Sequence, residues 1–286
     1  MRLAYPMQKF QDWFTQQWTI LWGRRIYPKN TPWLMGPFGE LGSIADDFVV
    51  QLAEKEGLVI ERDSTSHGLI PSITKLNLSS VELTNLSRKV IDFYENTANY
   101  SLTITIKWNS IFKFFGILVN KLFSNRINQL NIPIQNIQGS KAINSEVITL
   151  SCPDSKEVKY TIWFRTFKSN GQVIFSGIYS ACTLPSGKSC VKAVFPLPKG
   201  NATVIMSPSV GENGELILDS SGSKFGDTGF YFLLKDSKGG YWSNYISSFR
   251  DKLIVESSGK NIFAEQTHTL WNQRVLSFNY QITSKQ

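Results

Sequence analysis

Three cysteines, two histidines and no apolar run long enough to cross a bilayer are the scarcities that frame this chain of 286 residues. Cys152, Cys182 and Cys190 are odd in number and too sparse for a disulfide framework. Cys182 and Cys190 flank the turn TLPSGKS, so a hairpin there sets them face to face, as a reduced pair in a cytosolic protein. His67 and His268 are far apart and the cysteines lack CxxC spacing, so neither a metal nor another cofactor is expected. A spanning helix needs roughly 18 apolar residues in a row, and none is found. The N-terminus, MRLAYPMQKFQDWF, has no apolar signal-peptide core, so the sequons at Asn77, Asn85, Asn99 and Asn201 are expected to stay bare.

Signatures of chemistry are missing as well. There is no GxSxG elbow for a nucleophilic serine. The loop GSKFGDTG lacks the GK[ST] ending of a phosphate loop and runs into the strand-like FYFLL, so it reads as a hairpin turn. Acid is absent from Asn96 to Ser145, where Lys107, Lys113, Lys121, Arg126 and Lys141 stand alone. The net charge of +8 favours a polyanionic partner, yet no dense Lys/Arg run or nucleic-acid module occurs. A solvated positive face is the plain reading and an anionic membrane surface the sharper one. Nucleic acid is disfavoured.

What the chain has in quantity is aromatic surface: 13% Phe, Trp and Tyr, with eight tryptophans. Such side chains supply large apolar area at little entropic cost, in cores, ligand cavities and membrane interfaces. Residues 8–22 alternate with helical period. Phe10, Trp13, Phe14, Trp18, Ile20, Leu21 and Trp22 share one side, with Gln8, Asp12, Thr15 and Thr19 opposite. A helix packing its apolar side on the body is the default expectation, and an interfacial helix with a tryptophan edge the alternative. YPKNTPWLMGPFGELG reads as an ordered loop. A second helix starts with Ser43 as cap and ends before Gly57, and LVIERD is a short strand. VELTNLSRKVIDFYENT reads as one helix and SLTITIKW as a strand. In residues 110–124, SIFKFFGILVNKLFS, Lys113 and Lys121 lie on a narrow polar face of an otherwise apolar helix, suited to burial or to a headgroup layer.

Beyond the polar connector NQLNIPIQNIQGSKAINS the helical signal stops. Alternating runs follow, joined by turns such as CPDSKE, KSNG, PSGK and VGENGE, rich in Gly, Asn, Asp and Ser. In the last strands Leu276, Phe278, Tyr280 and Ile282 form one stripe, and Tyr245, Phe249, Leu253 and Val255 another, with Arg250 on the opposite face. The expected fold is α+β: a curved, mostly antiparallel sheet or partly open β-barrel of about nine strands, covered by N-terminal amphipathic helices. Residues 1–139 form the helical and mixed part and 140–286 the β part, within one cooperative domain.

Phe225-Gly226-Asp227-x-Gly229-Phe230-Tyr231-Phe232, His268-x-Leu270-Trp271 and the close Leu276-x-x-x-Tyr280-x-Ile282 occur together. FYENT, FSNRINQLNIP and FPLPKGNATV extend the pattern towards the N-terminus. The chain thereby resembles the soluble C-terminal region of bacterial YndJ-like proteins and their stand-alone uncharacterised relatives. The resemblance implies a bacterial module able to sit beside a membrane, and it implies no reaction. YndJ-like proteins carry membrane spans, which this sequence lacks.

The function expected is non-catalytic binding of an apolar small molecule or lipid at an anionic membrane surface. The alternatives are an enzyme acting on a lipophilic substrate in the same cavity, with Glu95 or His268 titrating, and a structural or protein-interaction module. Candidate ligand-binding residues are Tyr94, Glu95, Arg126, Asp227, Tyr231, Arg250 and His268, and no catalytic residue is assigned. Glu95 beside Tyr94 on an apolar helix face needs a partner, for which Arg126 is the candidate. Trp18, Trp22, Lys113 and Lys121 are the candidate membrane contacts. The expected location is cytoplasmic, with peripheral attachment to the inner membrane as its variant.

Overall fold

The computed structural model describes residues 10–40, 44, 46–62, 67–119, 131–133 and 136–285. The first part of the chain gives helix α1 (Phe10–Trp22), strand β1 (Arg24–Ile26), α2 (Asp47–Glu56), β2 (Val59–Arg62), α3 (Ser80–Asn85), α4 (Arg88–Glu95), β3 (Tyr100–Trp108) and α5 (Ser110–Val119). Strands follow without further described helix: β4 (Ile137–Ser151), β5 (Val158–Phe167), β6 (Val173–Thr183), β7 (Ser189–Leu197), β8 (Gly200–Val210) and β9 (Leu216–Asp219). The last are β10 (Gly229–Lys235), β11 (Tyr241–Ile246), β12 (Phe249–Ser258), β13 (Asn261–Leu270) and β14 (Gln273–Ser284).

Ten of these strands close into an antiparallel barrel in the order β3-β4-β5-β6-β7-β8-β9-β12-β13-β14, with β14 returning to β3. The expectation from sequence is a curved, mostly antiparallel sheet or partly open barrel of about nine strands. Two local features account for the difference. A turn at Ser247–Ser248 cuts YWSNYISSFRDKLIVE into β11 and β12. The long β8 also divides its partners: Gly200–Ile205 pair with β10, and Ser207–Val210 with β9. The short β9 then pairs with Lys252–Val255 of β12 and shuts the wall, while β10, β11 and β1 branch off as a side sheet. β4 begins at Ile137, inside the stretch read as a connector.

Inward positions follow the period of two that a pleated strand imposes. Leu276, Phe278, Tyr280 and Ile282 are all buried inside the barrel, as their stripe requires. Leu253 and Val255 of β12 join that cluster, whereas Tyr245 lies in β11 and packs with the side sheet.

The stretch read as one helix is two. A capping box of Ser79 and Glu82 starts α3, and Leu86 leaves the helical region at φ −61, ψ 129. Its burial, with the Ser87 amide donating to Gly214 O at 3.0 Å, costs less than continuing the helix past the turn between β8 and β9. Asn85 Nδ2 reaches Gly211 O at 2.8 Å, and the Ser87 and Ser257 hydroxyls meet at 2.8 Å. These contacts set α3 and α4 against the hairpin turns at one end of the barrel, where Leu69, Ile70, Phe93 and Tyr94 enter the interior cluster. The loop before them is pressed hard: a Cβ on Gly68 would lie 2.2 Å from Tyr94 O. α2 packs Phe48, Val49 and Leu52 on Ile148, Ile162 and Ile178, the outer side of β4 to β6.

α1 corrects the default expectation for an amphipathic helix. Asp12, Gln16 and Thr19 face the protein and are buried, while Phe10, Phe14, Leu21 and Trp22 are 55–75% exposed. Polar anchoring explains the orientation: Gln16 Nε2 donates to Pro198 O at 3.1 Å, Thr19 Oγ1 satisfies itself within the helix on Thr15 O at 3.0 Å and so tolerates burial, and the close approach of Gly23 to Ser243 O admits no side chain. Trp18 is the exception, packed edge-on against Phe232 at 5.9 Å.

At the barrel end opposite α4, the β13–β14 turn holds Trp271 at φ 49 and Asn272 at φ 61. A left-handed backbone suits Asn but strains a bulky residue by about 1–2 kcal/mol. Trp271→Asn should therefore raise stability by about 1 kcal/mol in urea unfolding. An unchanged midpoint would show the turn to be relaxed.

Candidate functional site: a polar cluster inside the barrel

The interior beside α4 encloses a cavity of about 50 Å³. Aliphatic and aromatic side chains form most of its wall, among them Ile70, Phe93, Met206, Leu218 and Leu253. Arg165, Tyr179, Gln266 and Tyr280 also line it. Arg165 follows from strand parity: it stands between Trp163 and Phe167, both inward, and has no choice of side. Only 5% exposed, its guanidinium lies over Trp163 at 3.9 Å and over Phe175 at 4.7 Å. Nη2 donates to Tyr179 Oη at 3.1 Å, and Nε meets no acceptor. Among the described residues no carboxylate comes within ion-pair distance of this arginine.

Asp251 is the buried acid of the interior, 4% exposed. Its Oδ2 accepts from Gln266 Nε2 at 2.8 Å and lies 3.4 Å from His268 Nε2, and its Oδ1 has no partner. His268 sits between the rings of Phe249 and Phe278, each 5.4 Å away, where the β13–β14 register shifts. The Tyr280 hydroxyl is buried and unpartnered too. Burial pushes its pKa up to about 12, with the nearby Arg165 charge lowering it only in part. Burial likewise raises Tyr179. Both phenols stay protonated at neutral pH and can donate. Three orphaned buried polar atoms in one interior are unusual, since nearly all such atoms find a partner.

The sequence candidates scatter. Tyr94 is buried and lines the cavity, while His268 is half-buried and packs edge-on against Phe278 at 5.4 Å, outside the cavity lining. Glu95 is next in sequence to Tyr94 but caps a turn, its Oε1 accepting the Ile73 amide at 2.7 Å. Tyr231 and Asp227 meet outside the barrel. The Tyr231 hydroxyl donates to Asp227 O at 2.5 Å, and the Asp227 carboxylate accepts the Ser223 and Lys224 amides at 3.1 Å. Burial opposes ionisation of Asp227, but those amides and the Ser223 hydroxyl hold its pKa below the usual carboxylate range. Arg250 is half-buried on β12, one residue from inward Asp251. Arg126 and Lys121 lie outside the described residues. Lys113 is half-buried in α5, Trp18 half-buried against Phe232, and Trp22 is 71% exposed.

Arg165, Tyr179 and Gln266 are absent from the sequence candidates, and Tyr280 enters there only as a member of an apolar stripe. A charged residue in the middle of an inward stripe was the available signal: Trp163-x-Arg165-x-Phe167 and Phe249-x-Asp251-x-Leu253 both show it. Cys182 and Cys190 are paired residues of β6 and β7 and both thiols are free. Burial pushes the first up to about 11 and the second to about 12.

No helix among the described residues is long and apolar enough to cross a membrane. Neither a family model nor a solved structure matches the chain. It is similar to a curated protein of Bacillus subtilis (strain 168) described as "Uncharacterized membrane protein YndJ". The two are 26% identical over 173 residues, which is 60% of this chain and 31% of that protein, so the chain spans about a third of that relative's length.

Proposed function

We propose that the barrel holds an apolar small molecule or lipid without transforming it, beside an anionic membrane surface. The observation that carries this reading is the enclosed apolar cavity, bounded by Leu69, Ile70, Phe93 and Tyr94 and provided with a few convergent polar groups. Binding sites of this kind are mostly apolar with a small number of placed polar groups. At about 50 Å³ the cavity has room for the equivalent of two or three waters, so a larger guest must shift the side chains that α4 and its preceding loop press inward. On this reading α3 and α4 are the cover of the site.

Membrane contact draws on α1. Its outward Phe10, Phe14, Leu21 and Trp22 continue into the exposed basic residues Arg24, Arg25 and Lys29. An apolar face edged with cations suits the headgroup layer of an anionic bilayer. Trp271, 69% exposed in its strained turn, is a second aromatic offered to solvent. The relative's description as a membrane protein supports the same placement. The enzymatic alternative rests on the Asp251–His268 pair inside the barrel.

Native mass spectrometry tests the binding reading. After incubation with a bacterial lipid extract, the purified chain should carry one extra small-molecule mass that is lost on denaturation. A chain that stays bare under those conditions rules the reading out.

A further inference from the structure

We propose that the interior cluster is a receptor for a carboxylate: the ligand's acid group is taken by Arg165 with Tyr280 and Tyr179, and its apolar body lies along the wall towards α4. This deepens the binding reading above and rests on it.

A guanidinium never loses its proton in a protein, so Arg165 brings a full positive charge into an interior where it is 95% shielded from water. An isolated buried ion costs several kcal/mol unless it is paired. Arg165 is paired with a phenol and two ring faces, which lessen that cost without neutralising it. Among the described residues the acid of the barrel interior is Asp251, and it is engaged by Gln266 and His268 instead. Arg165 is thus an unmatched cation.

The hydrogen-bond inventory agrees. Arg165 Nε–H has no acceptor, and the Tyr280 hydroxyl has none. The Tyr179 oxygen accepts from Arg165, which leaves its own hydrogen free to donate. Three donors from three strands, β5, β6 and β14, therefore border one cavity whose remaining surface is mainly apolar. A carboxylate supplies two oxygens with about four acceptor sites in a plane that matches the arginine fork. The cavity volume fits the acid group and little more. The tail must pass between Leu69, Ile70, Phe93 and Tyr94, so the ligand is a carboxylic acid with a hydrocarbon chain rather than a free short acid.

Isothermal titration of the full chain with decanoate, decanol and butyrate, below the micellar concentration, tests the assignment. Decanoate should bind at least tenfold tighter than decanol, because hydrogen bonds between a guanidinium and a carboxylate are roughly twice as strong as neutral ones. Arg165→Met should erase that preference, bringing the decanoate affinity down to that of decanol. Tyr280→Phe guards against a folding defect: it removes a hydroxyl that has no partner, so thermal stability should hold or rise while the preference for decanoate falls severalfold. Equal affinity of acid and alcohol for the wild type, or an undiminished preference in both variants, overturns the carboxylate assignment while leaving apolar binding intact. Butyrate binding as tightly as decanoate keeps the arginine site and overturns the apolar reading. No binding of any of the three overturns both.

Discussion

Phe278→Ala should destabilise the protein by about 3–5 kcal/mol. The ring is fully buried, and its neighbours are Phe175 at 5.9 Å, His268 at 5.4 Å and Tyr280 at 6.1 Å. Ring pairs of this kind add about 0.5–1.5 kcal/mol beyond their area. The three neighbours come from different strands, each fixed in a closed wall, so the void has little way to collapse. A loss below about 1 kcal/mol in urea unfolding would mean that the interior repacks freely. The site should fail with the core, since His268 loses one of the two rings that hold it against Asp251.

A second large effect is expected from the opposite kind of residue, one that contributes nothing to the fold. Phe14→Ser combined with Trp22→Ser should lower binding to vesicles rich in phosphatidylglycerol on the order of a hundredfold. The arithmetic is that two large side chains, partly inserted, supply about 3 kcal/mol, and each 1.4 kcal/mol is a factor of ten. Thermal unfolding should not move, because both side chains are more than half exposed in the folded chain. Binding retained by the double variant would remove α1 from the membrane reading. Loss of stability would mean instead that α1 buries this face against the protein in solution.

How much was legible beforehand can be traced through particular residues. The period of two gave the Leu276 to Ile282 stripe and the antiparallel strands, because a pleated strand leaves its side chains no third direction. Closure was not readable: it depends on β8 serving β10 with one half and β9 with the other, and pairing partners are a long-range property. The stripe through Tyr245 failed at Ser247–Ser248, where a turn restarts the count on a new strand. Arg165 stands in the inward register of β5, yet a pattern of apolar stripes gives no weight to a charge within one. α1 was read with the correct two faces but the default side down, since periodicity cannot tell a neighbour from solvent.

The four-residue β9 bears on how a guest enters. It is the shortest stave of the barrel, held on each flank by four residue pairs, against ten between β12 and β13. Beyond Asp219 the chain leaves the wall, and the gap up to Asp251 is bridged by Ser220, whose amide donates to Asp251 O at 2.9 Å and whose hydroxyl accepts the Asp251 amide at 2.6 Å. Fewer backbone bonds mean a lower cost of local parting there than along the ten-pair seam between β12 and β13. Parting of β9 from β12 would open the wall along an edge that ends on the same aspartate that lies against the half-buried His268.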